Sequence, residues 1–284
     1  MDACCKAFEP VYTRRLLHVG QRQRPRQTTL ALSEILTLLV YVHWSHSRTF
    51  QHYDTVYVMA PLHPSCPQLV GDHRFVELLP RALVPLCGSL STRQGRCTGM
   101  ACMASTPLAV CDHHRLATHR VFEGLATRGQ TAMGWVYGFT LPVIVNDEGA
   151  LRAFRVTPGT VEDRQLGQTL TAGLGGQLFG DRGYLSQALH DILLSPGLAR
   201  LTKIRKHRQH RVRCLWDKLL LRKRARIETV NDQLKNISHL EHPRHRRVTG
   251  FIVNVVAGFI AYSHRPKKPS PGLRRNPLVP MLVM

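Results

Sequence analysis

Three apolar segments separated by turn-forming residues constrain the fold of this chain most strongly. The segments cover residues 97–110, 134–145 and 151–156. Residues 146–149 (Asn-Asp-Glu-Gly) separate the second segment from the third, and residues 157–159 (Thr-Pro-Gly) end the third. Short apolar runs bounded by Gly, Pro, Asn and Asp are typical of strands, and a turn of this composition is typical of a hairpin. The pattern therefore predicts three consecutive antiparallel strands.

The chain then continues with alternating helix and strand patterns. The predicted elements are a helix at 161–174, a strand at 177–180, a helix at 186–194, a strand at 199–205 and a long helix at 215–240. Three antiparallel strands followed by such an alternation indicate a mixed sheet covered by helices. The predicted fold class is therefore α/β.

Residues 1–95 form a separate region that the sequence predicts to be helical. Apolar residues keep helical spacing over residues 30–42 and again over residues 75–86. A basic segment, residues 21–26, precedes the first of these runs. Short helices beside a basic arm fit a DNA-binding helix-turn-helix unit, and they fit a plain helical packing region equally well. At the other end, residues 271–284 contain Pro and basic residues and are predicted to form a loose tail.

The charge of the chain points to a polyanionic partner. The chain has 39 Lys and Arg against 18 Asp and Glu, a net charge of +21, which argues against an ordinary metabolic enzyme. Residues 201–284 contribute +16 of this charge, from 20 basic and 4 acidic side chains. Because 43% of the residues are hydrophobic, the chain can still bury a core.

Neither a membrane span nor an export signal is predicted. The longest apolar stretch, residues 250–262, has 13 residues and contains Asn254, whereas a span needs about 20. Residues 1–10 carry three charged side chains and lack the apolar core of a signal peptide. Eight cysteines without a Cys-x-x-Cys pair are typical of reduced thiols. We therefore expect a cytoplasmic protein in which the apolar stretch is a buried helix.

The predicted helix 215–240 carries three charged side chains in line. At about 100° per residue, Arg224, Glu228 and Lys235 fall on one stripe at the edge of the apolar face. That face consists of Leu220, Ile227, Val230, Leu234 and Ile237. A carboxylate in this position can face a cleft while its neighbouring cations reach a phosphate backbone. The alternative is a solvated Arg224–Glu228 ion pair worth a few tenths of a kcal/mol, and helix geometry alone favours that alternative.

A second carboxylate, Asp181, directly follows the predicted strand 177–180. Ligand sites in open α/β sheets cluster at the C-terminal ends of strands, although aspartate is also common there as a turn or helix-capping residue. Together with Glu228 and the basic charge, Asp181 suggests a divalent metal bound for chemistry on phosphodiesters. Mg²⁺ is typically held by one or two carboxylates and by substrate oxygens.

Several segments, in the same order along the chain, resemble DDE-type transposases of bacterial insertion sequences, specifically the insertion-sequence 982 family. They are STPLAVC at 105–111, LFGDRGY at 178–184 and LLRKRARIETVNDQLKNISHLEHPRHR at 220–246, with shorter matches at 50–53, 74–80, 157–164 and 261–270. The resemblance implies a ribonuclease-H-like catalytic domain over residues 96–270, which uses Mg²⁺ or Mn²⁺ to cut and join DNA. It also implies double-stranded DNA partners at the element ends and in the target, a homodimer that holds two ends, and association with the nucleoid.

The resemblance assigns roles to individual residues. Asp181 and Glu228 match two of the three catalytic metal ligands. Arg224 and Lys235 match an Arg-x3-Glu-x6-Lys signature and are expected to contact DNA phosphates. The first catalytic aspartate is expected at position 104, where this chain has Ala104. Because a methyl group cannot bind Mg²⁺, we expect a loss of several orders of magnitude in the rate of cutting.

No other acidic residue is a convincing replacement for the missing aspartate. Asp112 lies eight residues further along the first strand, about 26 Å away if the strand stays extended. Asp147 belongs to a turn, and Glu162 and Asp163 belong to the start of a helix. A further departure from the family is Pro142, which falls inside an expected central strand, an unfavourable place for proline.

Two functions therefore remain open. The first is a transposase that binds DNA and cuts it. The second is a catalytically inactive relic of a transposase that only binds DNA. A general RNA- or ribosome-binding protein fits the charge. It does not account for the ordered segments, and the chain lacks the aromatic-rich strand that is typical of RNA-binding domains.

Overall fold

The structure is a computed structural model, and it describes residues 1–18, 29–45, 47, 50–58, 62, 66, 68–111, 113–131, 134–159, 170–171, 173–180, 198–201, 225–241 and 245–269. Some predictions lie outside the described residues: the helix at 186–194, most of the helix at 161–174, the start of the helix at 215–240, and the tail at 271–284.

The described helices are α1 (Asp2–His18), α2 (Leu32–Val42), α3 (Phe50–Tyr53), α4 (Asp72–Ser91), α5 (Ala225–Asp232) and α6 (Val248–Ser263). The described strands are β1 (Met100–Cys111), β2 (Thr127–Thr131), β3 (Gly134–Asn146), β4 (Leu151–Phe154), β5 (Thr157–Pro158), β6 (Gly176–Phe179) and β7 (Leu198–Leu201). Two π-helical turns, Asp54–Val58 and Gln233–Ile237, continue α3 and α5, and a 3₁₀ helix spans His113–Thr118. The three predicted antiparallel strands are therefore present as β1, β3 and β4, with small shifts at their ends.

The seven described strands form one mixed sheet. Strand β1 pairs with β3 in antiparallel and with β6 in parallel orientation, and β7 continues the sheet in parallel with β6. On its other edge, β3 pairs in succession with β2, β5 and β4. Three antiparallel strands joined through β1 to two parallel strands confirm the predicted ribonuclease-H-like mixed sheet flanked by helices.

Apolar side chains cover both faces of the sheet. On one face, residues of β1 and β3 share a core with α5 and α6, and the ring of Phe139 stacks on that of Phe251 with centroids 5.0 Å apart. On the other face, Met103 and Ile144 pack with Leu170 and other apolar residues. This alternation is what a pleated strand buried on both faces produces, because successive side chains point to opposite sides.

Helix α6 is the predicted buried helix, and it joins the N-terminal helices to the sheet. Helices α2 and α4 both pack against α6, and their buried residues belong to the same core as those of β3. Along the part of the chain that the structure describes, no helix combines the length and apolar character that crossing a membrane requires.

The end of α6 is tied to the turn between β3 and β4. The Tyr262 hydroxyl, which is fully buried, donates a hydrogen bond of 2.6 Å to the carbonyl of Gly149. Gly149 has a φ of +74° and leaves no room for a side chain, since a Cβ there would lie 2.3 Å from the carbonyl oxygen of Pro269. The turn therefore requires glycine for two reasons, its backbone conformation and its close approach to the segment after α6.

Pro142, predicted to be unfavourable inside a central strand, is accommodated within β3 by an interruption of the neighbouring strand. The Arg155 backbone N–H donates to the Pro142 carbonyl at 3.1 Å, so the polar backbone positions of Pro142 face away from β1. On that side β4 ends at Phe154 and β5 begins only at Thr157. The N–H that proline lacks would therefore point toward Arg155, between β4 and β5, and β1 loses no hydrogen bond.

Candidate functional site

Ala104 lies in the middle of β1, on the face of the sheet that α5 covers. Cys102 and Ala104 pack against the core that contains the buried residues of α5, whereas Ala101 and Met103 pack into the core on the opposite face. A side chain at position 104 therefore points to the α5 side of the sheet.

Helix α5, which carries Glu228, covers this same face of the sheet. The helix packs against β1, and its Ile227 and Val230 side chains are buried with 1% of their surface exposed. Glu228 lies one residue after Ile227 and its side chain is exposed. The structure thus places the helix of the predicted glutamate against the strand that lacks the predicted aspartate.

Two of the predicted site residues, Asp181 and Arg224, lie outside the described residues. Within the described residues, the parallel register of β6 against β1 extends to the pair of Phe179 with Cys102.

Lys235, predicted to contact DNA phosphates, forms an ion pair within the protein. Its Nζ lies 2.8 Å from Oε1 of Glu241, and the two side chains are only 17% and 26% exposed. The pair forms because the π-helical turn after α5 ends at Ile237 and His239 takes a left-handed conformation, with a φ of 48°. Sequence reasoning missed Glu241, since a separation of six residues is not a helical pairing.

The prediction that Arg224, Glu228 and Lys235 fall on one stripe assumed a regular α-helix up to residue 240. The regular helix instead ends at Asp232, and the wider π-helical turn over Gln233–Ile237 changes the angular spacing before Lys235 is reached. The buried face was predicted correctly at Ile227, Val230 and Leu234 (1% exposed each), while Ile237 is only half-buried.

The described residues around Ala104 do not fit a magnesium site of the expected kind. Along the same face of β1, Ala104 is flanked by Cys102 and Thr106, a thiol and a hydroxyl, whereas Mg²⁺ prefers carboxylate oxygens. Within the described ranges, no three His, Cys, Asp or Glu side chains are grouped so that they could hold a metal ion. Strand β1, Met100–Cys111, therefore supplies no carboxylate that could bind Mg²⁺.

A buried histidine connects the N-terminal helices to the segment that follows α5. The ring of His43 is 3% exposed, and its Nδ1 lies 2.7 Å from the carbonyl oxygen of Ser238, so Nδ1 carries the proton and donates it. Burial lowers the pKa of His43 to about 4. The sequence does not single out this histidine, because nothing around it distinguishes a buried histidine from an exposed one.

The chain is similar to known proteins in sequence and in structure. It is similar to a piggyBac transposase in a synaptic complex with hairpin DNA, solved by cryo-EM, at 11% sequence identity and a TM-score of 0.39. That alignment covers 70% of this chain and 50% of the other chain. No curated protein matches the sequence. The family model described as "Transposase DDE domain" matches residues 94–248, more than half of the 284 residues. The chain therefore belongs to the transposase DDE domain family.

Proposed function

We propose that this chain is an insertion-sequence transposase of the 982 family that binds double-stranded DNA and whose ability to cut DNA is strongly impaired. One observation carries the second half of the proposal: position 104, on the face of β1 against which α5 packs, is occupied by an alanine. Asp181 and Glu228 are the carboxylates proposed for Mg²⁺ or Mn²⁺. With a methyl group at position 104, this set is one carboxylate short.

The charge of the chain supports the DNA-binding half of the proposal. Residues 201–250 contain 15 basic and 4 acidic side chains, a net +11, and Glu228 lies within this segment. Arg224 and Lys235 are proposed as phosphate contacts. Each phosphate that a cation neutralises releases counterions, so binding is expected to weaken steeply as salt is raised.

The remaining parts of the proposal concern organisation. Residues 1–95 are proposed as a helical region available to DNA, and residues 96–270 as the catalytic domain. We also propose a homodimer on DNA, because joining two element ends requires two active sites held together, and a cytoplasmic location at the nucleoid.

The second candidate function is a DNA-binding relic without catalytic activity. Ala104 favours it, since the family chemistry relies on a carboxylate from this strand. Such a protein would still occupy element ends and could block active copies by mixed assembly. Both candidates bind DNA, and only the first cuts it.

Cleavage of labelled element-end DNA in the presence of Mg²⁺ or Mn²⁺ separates the two candidates. The natural chain should cut little or not at all, and Ala104→Asp should recover part of the activity because it restores a carboxylate on the α5 side of β1. Ala104→Asn is the matched control, since it has nearly the same shape without the charge, and it should stay inactive. Thermal unfolding of all three proteins checks that each one is folded.

Two outcomes would contradict the proposal. If the natural chain cuts at the rate of the Ala104→Asp variant, and Glu228→Gln abolishes that cutting, Ala104 does not impair the enzyme. If Ala104→Asp is folded and binds DNA but remains inactive, the missing carboxylate is not the cause of the lost activity, and the relic is the better description.

A further inference from the structure

A recess lies at the edge of the sheet, between the end of α4 and strand β4. It has a volume of about 250 Å³ and is lined by Leu90, Gln94, Arg152, Phe154, Arg155 and Leu170, among others. Strand β3 separates β4 from β1 in the sheet, so the recess is about 10 Å, two strand spacings, from the strand of Ala104. It is therefore separate from the site described above.

Arg152 lines this recess and contains a buried donor without a partner among the described residues. One terminal nitrogen of its guanidinium, Nη1, donates to the carbonyl of Gly95. Its Nε is buried and has no hydrogen-bond partner among the described residues. A buried donor without an acceptor is unfavourable, and an anion that accepted a hydrogen bond from it would remove that cost. Arg155, whose side chain is exposed, adds a second guanidinium to the lining.

The described segments around the recess carry several basic side chains. Arg93 and Arg96 flank Gln94, and the Asn146 side chain donates to the Arg96 carbonyl at 3.2 Å. Lys268, on the segment after α6, lies against the turn between β3 and β4. Two carboxylates, Asp147 and Glu148, belong to this turn, but neither of them lines the recess. The lining residues therefore combine two guanidinium groups with an amide and no carboxylate.

We propose that this recess binds a phosphate group of the DNA backbone, with Arg152 and Arg155 as its donors. Paired guanidinium groups match phosphate oxygens in geometry as well as charge. The apolar floor formed by Leu90, Phe154 and Leu170 can accommodate the arginine stems. The DNA source of the phosphate rests on the proposed function; the phosphate chemistry rests on the recess alone.

The test compares the salt dependence of DNA binding between variants. Fluorescence anisotropy with a labelled 30-base-pair duplex gives the slope of log affinity against log salt concentration. Arg155→Gln should reduce the slope by about 0.9, and Arg152→Gln/Arg155→Gln by about 1.8, as expected for one and two lost phosphate contacts. Arg120→Gln, an exposed arginine at the opposite end of β3, is the charge-matched control for the second arm below.

A second arm measures the recess without DNA. Inorganic pyrophosphate should slow hydrogen exchange of the β4 amides in the natural chain and in Arg120→Gln, and it should have no such effect in Arg155→Gln. Arg155→Gln is the decisive variant, because Arg152 also holds Gly95 and its replacement can disturb the fold.

The outcomes distinguish the recess from the proposed function. An unchanged salt slope in Arg155→Gln, with the natural chain binding DNA, overturns the recess and leaves the function standing. If the natural chain does not bind DNA but pyrophosphate still protects β4, the DNA function fails while the recess remains a site for free phosphate compounds. If the natural chain binds no DNA and pyrophosphate does not protect β4, both proposals are overturned.

Discussion

The ion pair between Lys235 and Glu241 gives a residue of the expected DNA-binding signature a second role inside the protein. Both side chains are largely shielded from water, so each charge depends on the other for compensation. A phosphate that recruits Lys235 must therefore compete with Glu241. The free energy available from the proposed DNA contact would be reduced by the free energy of the ion pair that it breaks.

Removing Glu241 should therefore destabilise the folded protein. Glu241→Gln is expected to lower the free energy of unfolding by about 1–2 kcal/mol, because it leaves a shielded ammonium without its anion. Urea unfolding of Glu241→Gln, Lys235→Met and the double variant should give a coupling free energy of about 1 kcal/mol.

The matched control for this measurement is the pair of Arg74 and Glu77, which are 66% and 58% exposed. Glu77→Gln should change the free energy of unfolding by only a few tenths of a kcal/mol, since exposed pairs contribute little. Equal effects at Glu77 and Glu241 would contradict the assignment of a shielded pair.

The residues of the candidate site were only partly predictable from the sequence. Position 104 could be identified because the run from Ser105 onward resembles a known family, and its place on the α5 side of the sheet then follows from the alternation along β1. Glu241 could not be identified, because its contact with Lys235 depends on a π-helical turn and a left-handed residue that no local signal indicates.

The course of β3 decides, at the scale of single elements, whether a proline can be tolerated. Every second residue of a strand directs its backbone groups to the same neighbour. Pro142 directs its backbone groups toward Arg155, which lies between β4 and β5. Val143 directs its backbone groups toward β1, where it pairs with Ala104. Two adjacent positions in one buried strand therefore differ in their tolerance of proline.

Moving the proline by one residue should reveal this difference. Pro142→Val is expected to change the free energy of unfolding by less than about 1 kcal/mol, because the N–H that it restores points toward Arg155 and not toward β1. Val143→Pro should cost at least about 2 kcal/mol, since it removes a ladder hydrogen bond to β1. Thermal or urea unfolding measures both, and similar costs at the two positions would contradict the proposed register.

The strands were predictable where their buried positions give a clear apolar pattern in the sequence. Strands β1, β3 and β4 are apolar runs bounded by turn residues, and they were found. Strand β2, Thr127–Thr131, was missed because it consists of polar residues and glycine. It forms through pairing with β3, and the Arg128 guanidinium lies 4.6 Å from the ring centre of Trp135 on that strand.

At the scale of the whole molecule, the N-terminal helices and the sheet share one core through α6. His43 is a polar contact across this junction, because its hydrogen bond to Ser238 joins positions 195 residues apart in the chain. The positive charges of two further histidines, His239 and His245, also lower the pKa of His43. Burial lowers the pKa of His245 to about 4 as well.

Mild acid should therefore destabilise the whole molecule. In the pH range between the usual pKa of 6.5 and the lowered pKa of about 4, the unfolded chain binds a proton at His43 that the folded chain excludes. Stability is complete above pH 6.5 and is lost as the pH falls toward 4, by up to about 1.4 kcal/mol per pH unit for each such histidine.

Urea unfolding between pH 7 and pH 4.5 tests this prediction, and His43→Gln should show a shallower dependence on pH than the natural chain. His245 keeps part of the slope in that variant. Near- and far-ultraviolet circular dichroism should follow one common transition, because the helices and the sheet share a core. An identical pH dependence in both proteins would contradict the role of His43.

The contact between Tyr262 and Gly149 has a consequence for the design of labelled proteins. It fixes the place where the chain leaves α6, so Pro269 lies beside the hairpin turn. Through the pairing of Asn146 with Ala101, this turn lies at the start of β1, about 10 Å along the strand from Ala104. A fluorophore attached at Pro269 would therefore lie near the recess lined by Arg152 and Arg155, and about 10 Å along the strand from position 104.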